Sequence, residues 1–442
     1  MTLSQRYRRL APLAILGAAG MALAGCGAPG APTGGDDGGG GEDVSGETVT
    51  IYGTIVDSEA ELLQESWADF EEETGIEIKY EGSQDFETQL GTRAQGGNPP
   101  DIAIFPQPGL FADFASRDFL KPAPEQVEKN ANEYWTEDWV NYGTYDGTFY
   151  GAPLMANVKG WIWYSPTKFE EWGVEVPETL DDMSALTEAI QGATGTPAWC
   201  AGFESGTATG WPGTDWIEDY VLRQAGPEVY DQWVTNEVPF TDPQIKEAFD
   251  SVGEILLNPA NVNAGFGAVQ SINSTAFGDV APALAGGECA LTHQASFLSG
   301  FFPKGTNIAE DGDVWAFMLP GESADDSAVT GAGEIVGAFT DSEATQQTLA
   351  YLSSPEWANS RVSLGGVTSA NNGLDPANAQ DPILQETIKI LQDPETTFRF
   401  DASDLMPGAV GAGTFWKGMV AWVNGDPTDQ VLSQIETGWP AG

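Results

Sequence analysis

Histidine occurs once and cysteine three times in 442 residues. That is too few for a dedicated zinc centre or for a Cys–His nucleophile pair. Positive charge is also scarce: 17 Lys plus Arg stand against 66 Asp plus Glu, a net charge of −49. Such a deficit repels phosphate backbones and excludes nucleic acid as a partner. Long apolar runs are missing apart from residues 10–24, so no resident membrane helix is expected in the body of the chain. What is present is a foldable composition, with 41% apolar residues, 11% aromatics and 15 Trp. An acidic disordered tail is therefore excluded, and the length accommodates roughly two to three domain equivalents.

The one apolar run has a specific setting. Arg6, Arg8 and Arg9 precede it, and it ends in Leu23-Ala24-Gly25-Cys26. It is too short to span a bilayer but suits the apolar region of a signal peptide. Its end resembles the bacterial lipobox, whose Cys thiol accepts a diacylglycerol. The expectation is a lipoprotein signal over residues 1–25 and a lipidated Cys26; the plainer alternative is a secretory signal with an incidental Cys26. Residues 26–46 are rich in Gly, Pro and Asp and lack apolar periodicity. They read as a flexible tether spanning roughly 25 Å. Cleavage removes three Arg and no acid, so the mature chain is three charges more negative.

From residue 48 the pattern alternates. Thr48-Val-Thr-Ile-Tyr52 is a β-branched run, residues 59–73 have a helical period stopped at Thr74-Gly75, and Ile76-Glu-Ile-Lys-Tyr80 alternates again. Strand, helix, strand is the unit of a parallel sheet. A helix is expected over 86–95, then a buried strand Asp101-Ile-Ala-Ile-Phe105. Ligands of open α/β sheets gather at the carboxyl ends of such strands, which nominates the loops beginning at Gly53 and Pro106. Gly160-Trp-Ile-Trp-Tyr164 predicts a further strand, as do 289–292 and 315–319; helices are expected over 168–172, 216–224, 242–257, 342–352 and 383–391. There is no internal repeat.

Several stretches resemble the extracellular solute-binding proteins of carbohydrate ABC transporters. They are ADFEEETGIEIKYEG, NPPDIAIFPQPGLFADFASRDFLKP and VKGWIWYSPTKFEEWGVEVPETLDDM. Three more look like the α-glucoside-binding branch: WCAGFESGTATGWPGTDWIEDYVLRQAG, CALTHQASFLSGFFP and FDASDLMPGAVGAGTFWKGMVAWVNG. The resemblance spans about residues 48–440. It implies an α/β fold of the periplasmic-binding-protein type, two lobes around a hinge with sugar in the cleft. Mapped onto this chain, one lobe is 47–155 plus 333–368 and the other 156–332 plus 369–442. It also implies a monomeric receptor at the extracellular face of the cytoplasmic membrane that hands an α-glucoside to a permease and performs no covalent chemistry.

A pyranose requires flat aromatics for its C–H face and carboxylates, amides or a cation for its hydroxyls. The resemblance points to Asp57 in the loop after the first strand and to Gln107 after Phe105; both also fit solvated loop positions. Lys159 matches a Lys of the α-glucoside branch and reads as a hydroxyl donor at a crossing segment. Trp211, in a Gly-rich loop, reads as a platform, whereas Trp216 reads as core. Asp215 is a hydroxyl acceptor or merely the N-cap of a helix opening at Trp216. His293 is a ligand contact or a structural hydrogen-bonder. Phe297 aligns with a stacking aromatic, Trp416 is a second platform or a core residue, and Asp404 is placed by the resemblance at the cleft, beside Asp401. Cys200 and Cys289 form an even pair in an exported chain and are expected to be bonded, the alternative being two buried thiols.

Other signals carry less. GAGEIVG at 331–337 is similar to a dinucleotide fingerprint, but its spacing is wrong, and it is better read as a hinge crossing. Residues 310–313 (EDGD) lack the later ligands of a calcium loop, and neither metal nor cofactor is expected. The rival functional classes are an acidic glycoside hydrolase, since 66 carboxylates guarantee some close pair, and a receptor for a non-sugar solute such as a polyamine.

Overall fold

Strand β1 (Thr48–Gly53) buries Val49 and Ile51 completely while its Thr residues face outward. It pairs in parallel with β2 (Glu77–Gly82) on one side and β3 (Ile102–Phe105) on the other. These coordinates are a computed structural model that describes residues 44–263, 266–323 and 328–440. The signal segment, Cys26 and the tether up to residue 43 lie outside the described residues.

The crossover between β1 and β2 is two helices, Asp57–Glu65 and Ala68–Thr74, rather than the single helix expected. The break falls at Ser66, whose carbonyl accepts bonds from Tyr351 Oη (3.1 Å) and Ser360 Oγ (3.0 Å). The Ser66 hydroxyl takes Trp357 Nε1 at 2.9 Å. Tertiary partners thus replace the helical ones, something no local period encodes.

A short hairpin, β4 (Thr144–Tyr145) and β5 (Thr148–Phe149), turns on Asp146-Gly147, both at positive φ, the turn chemistry that matches strand twist. Then comes β6 (Gly151–Val158), followed at once by β7 (Trp161–Tyr164). With β8 (Leu291–Gln294) and β9 (Trp315–Met318), β7 forms an antiparallel three-stranded sheet in the order β8-β7-β9. The expected strand at 289–292 is displaced by two residues, its pairing with β7 running over Leu291–Gln294; Cys289 before it is bonded to Cys200 in a disulfide with Cα atoms 5.7 Å apart.

The longest strand, β10 (Ala328–Ala338), contains the GAGEIVG stretch and joins distant parts of the chain. Along one edge it pairs antiparallel with β6. On the other edge its first half pairs in parallel with β11 (Thr397–Phe400) and its second half antiparallel with β3. The result is a six-stranded mixed sheet. Its register with β6 slips between Gly333 and Ile335, where Leu154 and Met155 of β6 bulge opposite the single residue Glu334.

The buried apolar residues separate into distinct clusters. One gathers Val49, Ile51, Ile104, Leu154 and Trp357; another gathers Ile162, Trp199, Trp216, Phe249 and Trp422. No helix among the described residues is long and apolar enough to cross a membrane.

Candidate functional site

Lys159 follows β6 at the point where the chain turns into β7. Gly160 makes that turn at φ +77°, and a Cβ there would lie 2.7 Å from Asp219 Oδ2, so only glycine fits. Lys159 is held by its backbone N–H on Thr330 O (2.9 Å), and its side chain is buried. Its Nζ donates to Asp215 Oδ1 at 2.7 Å and to Asp401 Oδ2. Glu218 completes the cluster: carboxylate oxygens of Asp215, Glu218 and Asp401 lie within 4.8 Å of one another, and Glu218 Oε1 accepts Ser403 N–H at 3.0 Å. Burial alone would strip the proton from Lys159, but the charges of Asp215, Asp401 and Asp404 outweigh it and hold the ammonium. Burial pushes the carboxyls of Asp215 and Asp404 well above the usual range, Asp401 adds to both, and Lys159 pulls both partly back.

This cluster forms part of the wall of a cavity of about 660 Å³. Aromatic rings form another part: Trp211 packs 5.1 Å from Phe277 and 6.2 Å from Phe297, and Phe277 packs 5.2 Å from Phe301. Lys159 Nζ sits 5.3 Å from the Trp211 ring centroid. Trp416 also faces the cavity, at the start of helix Trp416–Val423. Gly210, at φ +114°, lets the backbone pass directly over Trp416, whose carbonyl oxygen would be 2.3 Å from any Cβ at that position. The two indoles are thereby brought to one space.

Of the residues singled out by sequence, Asp57, Gln107, Lys159, Trp211, Phe297, Asp404 and Trp416 line this cavity. Asp57 is exposed at its rim, at φ +53°. Gln107 is buried; its Nε2 donates to Glu87 Oε1 at 3.2 Å, and its Oε1 has no partner. Two residues stand behind the wall. Asp215 reaches the site only through Lys159; it lies within the helix Trp211–Val234, which starts five residues earlier than expected, so it is not an N-cap. His293 is buried in β8, with Nε2 2.6 Å from Asp219 Oδ2 and its ring 4.5 Å from that of Trp216. Burial would raise the Asp219 carboxyl, but hydrogen bonds from His293 and Thr330 hold it below its ordinary value.

Residues that sequence reasoning missed also line the cavity: Glu59, Glu87, Glu334, Asn157, Phe277 and Phe301. Glu334 had a signal, being the one charge inside a glycine-rich apolar run. Burial and the neighbouring Glu59 raise its carboxyl to about 7, against the pull of Arg361. Burial also raises Glu87, offset in part by its bond from Gln107. The arrangement offers hydroxyl acceptors, one cation and flat apolar rings around a single space. Those are the elements of polyol recognition.

The profile of the bacterial extracellular solute-binding proteins matches residues 56–359. Over 417 residues the chain is 39% identical to the "Alpha-glucosides-binding periplasmic protein AglE" of Rhizobium meliloti (strain 1021), covering 90% of this chain and 88% of that protein. It is 40% identical over 403 residues to the "Osmoprotective compounds-binding protein GgtB" of Synechocystis sp. (strain ATCC 27184 / PCC 6803 / Kazusa), covering 90% and 94%. Among solved structures, the bacterial solute receptor AcbH, described as having an exclusive substrate preference for β-D-galactopyranose, superposes with a TM-score of 0.74 at 17% identity. The match covers 88% of this chain and 98% of that one. That likeness carries the fold, two α/β lobes of the periplasmic-binding-protein type, while the sequence matches carry the kinship, and the relatives are binding proteins rather than enzymes. The chain belongs to the bacterial extracellular solute-binding proteins and, like them, is a receptor of the ABC transporter class.

Proposed function

We propose that the chain captures an α-glucoside and delivers it to the permease of an ABC importer, held at the outer face of the membrane by lipid on Cys26. The observation that carries this reading is a cavity of about 660 Å³ in which Lys159 and Asp404 face the same space as Trp211 and Trp416. Its volume falls within the range of roughly 300–1,000 Å³ usual for small-molecule sites. Rings cover the apolar face of a pyranose while charged groups satisfy its hydroxyls, each of which would cost about 1–3 kcal/mol if buried unpaired. The relative named for α-glucosides supports the ligand class. The lobes 47–155 plus 333–368 and 156–332 plus 369–442 close over the sugar by a hinge motion, and the permease reads the closed monomer.

A relative named for osmoprotective compounds favours a second reading, a small compatible solute. Trehalose and sucrose are both glucosides and compatible solutes, so they serve both readings. Calorimetry against maltose, trehalose, sucrose, maltotriose and putrescine tests the ligand class: saturable heats are expected with at least one glucoside. Silence from all four sugars overturns the reading, and a response to putrescine alone replaces it with a polyamine receptor. For the anchor, Cys26→Ser should move the protein from the membrane fraction to the medium; unchanged partition would refute lipidation.

A further inference from the structure

The cavity has a second charged group of residues that the reading above does not use. Glu334 is the β10 residue opposite the bulge in β6, and Glu59 lies on the first helix after β1; both line the cavity. Behind them is Arg361, on helix Pro355–Ser363 and fully buried. Its Nη1 donates to Gly365 O at 2.9 Å, but Nε and Nη2 have no hydrogen-bond partner. An unpaired buried guanidinium nitrogen is costly. The charges it acts on are Glu59 and Glu334, both of which it stabilises as anions while burial works against them. Among the described residues, neither carboxylate closes an ion pair on Arg361 or accepts a hydrogen bond from another side chain. Two carboxyls therefore share the cavity wall, backed by a buried cation that favours their charged forms against burial, and left open to the ligand side.

Adjacent carboxylates of this kind are satisfied by a ligand with adjacent donors. A diamine would also supply donors, but Arg361 already offsets much of the negative charge, which favours neutral hydroxyls. We propose that Glu59 and Glu334 bind a vicinal pair of hydroxyls on the sugar, with Arg361 as the positioning residue that keeps both as acceptors. The assignment rests on the α-glucoside reading and adds a second polar clamp to the Lys159 cluster.

The test is calorimetry on the full chain with maltose and trehalose, with the monodeoxy analogues of each, and with putrescine. Glu59→Gln and Glu334→Gln should each weaken sugar binding about tenfold or more, as expected for a hydrogen bond to a charged group. At least one monodeoxy analogue should bind the wild type more weakly by a similar factor, and that extra loss should vanish in the Gln variant. Arg361→Lys should keep affinity within about threefold while Arg361→Met loses as much as the Gln variants; should Arg361→Met fail to fold, the glutamate variants decide alone. Gln variants that bind like wild type, or deoxy and Gln losses that simply multiply, overturn the clamp and leave the α-glucoside reading standing. A wild type that binds neither sugar, or prefers putrescine, overturns both.

Discussion

Replacing Lys159 with methionine keeps most of the stem and deletes one charge. In the structure that ammonium lies 2.7 Å from Asp215 Oδ1, bonds Asp401 as well, and stands among three carboxylates whose oxygens approach within 4.8 Å. Breaking a buried pair by removing one partner costs about 3–5 kcal/mol, because the other charge is left uncompensated. Here two carboxyls lose their cation, so the upper half of that range applies. With an unfolding entropy of about 2.1 cal/mol/K per residue over a body of about 400 residues, the loss corresponds to roughly 5–6 °C in Tm. The pH dependence sharpens the test. Asp215 and Asp404 are already raised by burial, and Lys159 is what pulls them down; without it they rise further. A carboxyl with a raised folded pKa holds its proton in the folded state after the unfolded chain has shed it. Stability therefore falls as pH climbs from the ordinary carboxylate value through the folded one. Scanning calorimetry of Lys159→Met and wild type should show the largest deficit near pH 8 and a smaller one near pH 5. A deficit that is equal at both pH values, or absent, would refute this account of the cluster.

The remaining predictions separate wall from cavity. His293→Gln should lower stability by about 1–3 kcal/mol through the buried bond to Asp219, yet change sugar affinity less than threefold; a large affinity loss measured by calorimetry would bring His293 to the ligand. Trp416→Ala and Trp211→Ala should each weaken binding by about 1–3 kcal/mol, as buried aromatic anchors do, and unchanged titrations for both would move the site elsewhere. Replacing Cys200 and Cys289 by Ala opens a loop of sequence separation 89 and should cost about 3–5 kcal/mol in denaturant unfolding; a loss below about 1 kcal/mol would contradict the loop-entropy account.

Regular elements were legible where local pattern decides them. Helix Phe86–Gln95 and the strand ending at Phe105 follow from periodicity and flanking turns, and helix Glu343–Leu352 from its Ser342 cap. The boundaries that shifted were set by distant contacts, as at Ser66, whose partners lie nearly 300 residues away. The candidate site divides in the same way. Trp211 and Lys159 stood out because each sits in a glycine-marked turn and in a stretch resembling the family. Glu59 lies in an ordinary acidic amphipathic helix, and only the fold brings it to face Glu334. Asp215 looked like a cap because Pro212 and Gly213 obscure the earlier start of its helix, which begins at Trp211.

The charged cluster around Lys159 also has a timetable. Its members stand 56 and 242 residues apart in the chain, with Asp401 the last to arrive. Until the segment beyond β11 has emerged and docked, Lys159 lacks one of its two partners and Trp416 does not yet exist at the cavity. A chain still being exported is therefore unable to form the complete receptor, however much of its first sheet has folded. The cavity wall is completed only with the C-terminal tenth of the chain, so a truncated product lacks the Asp401 partner of Lys159 and the Trp416 face.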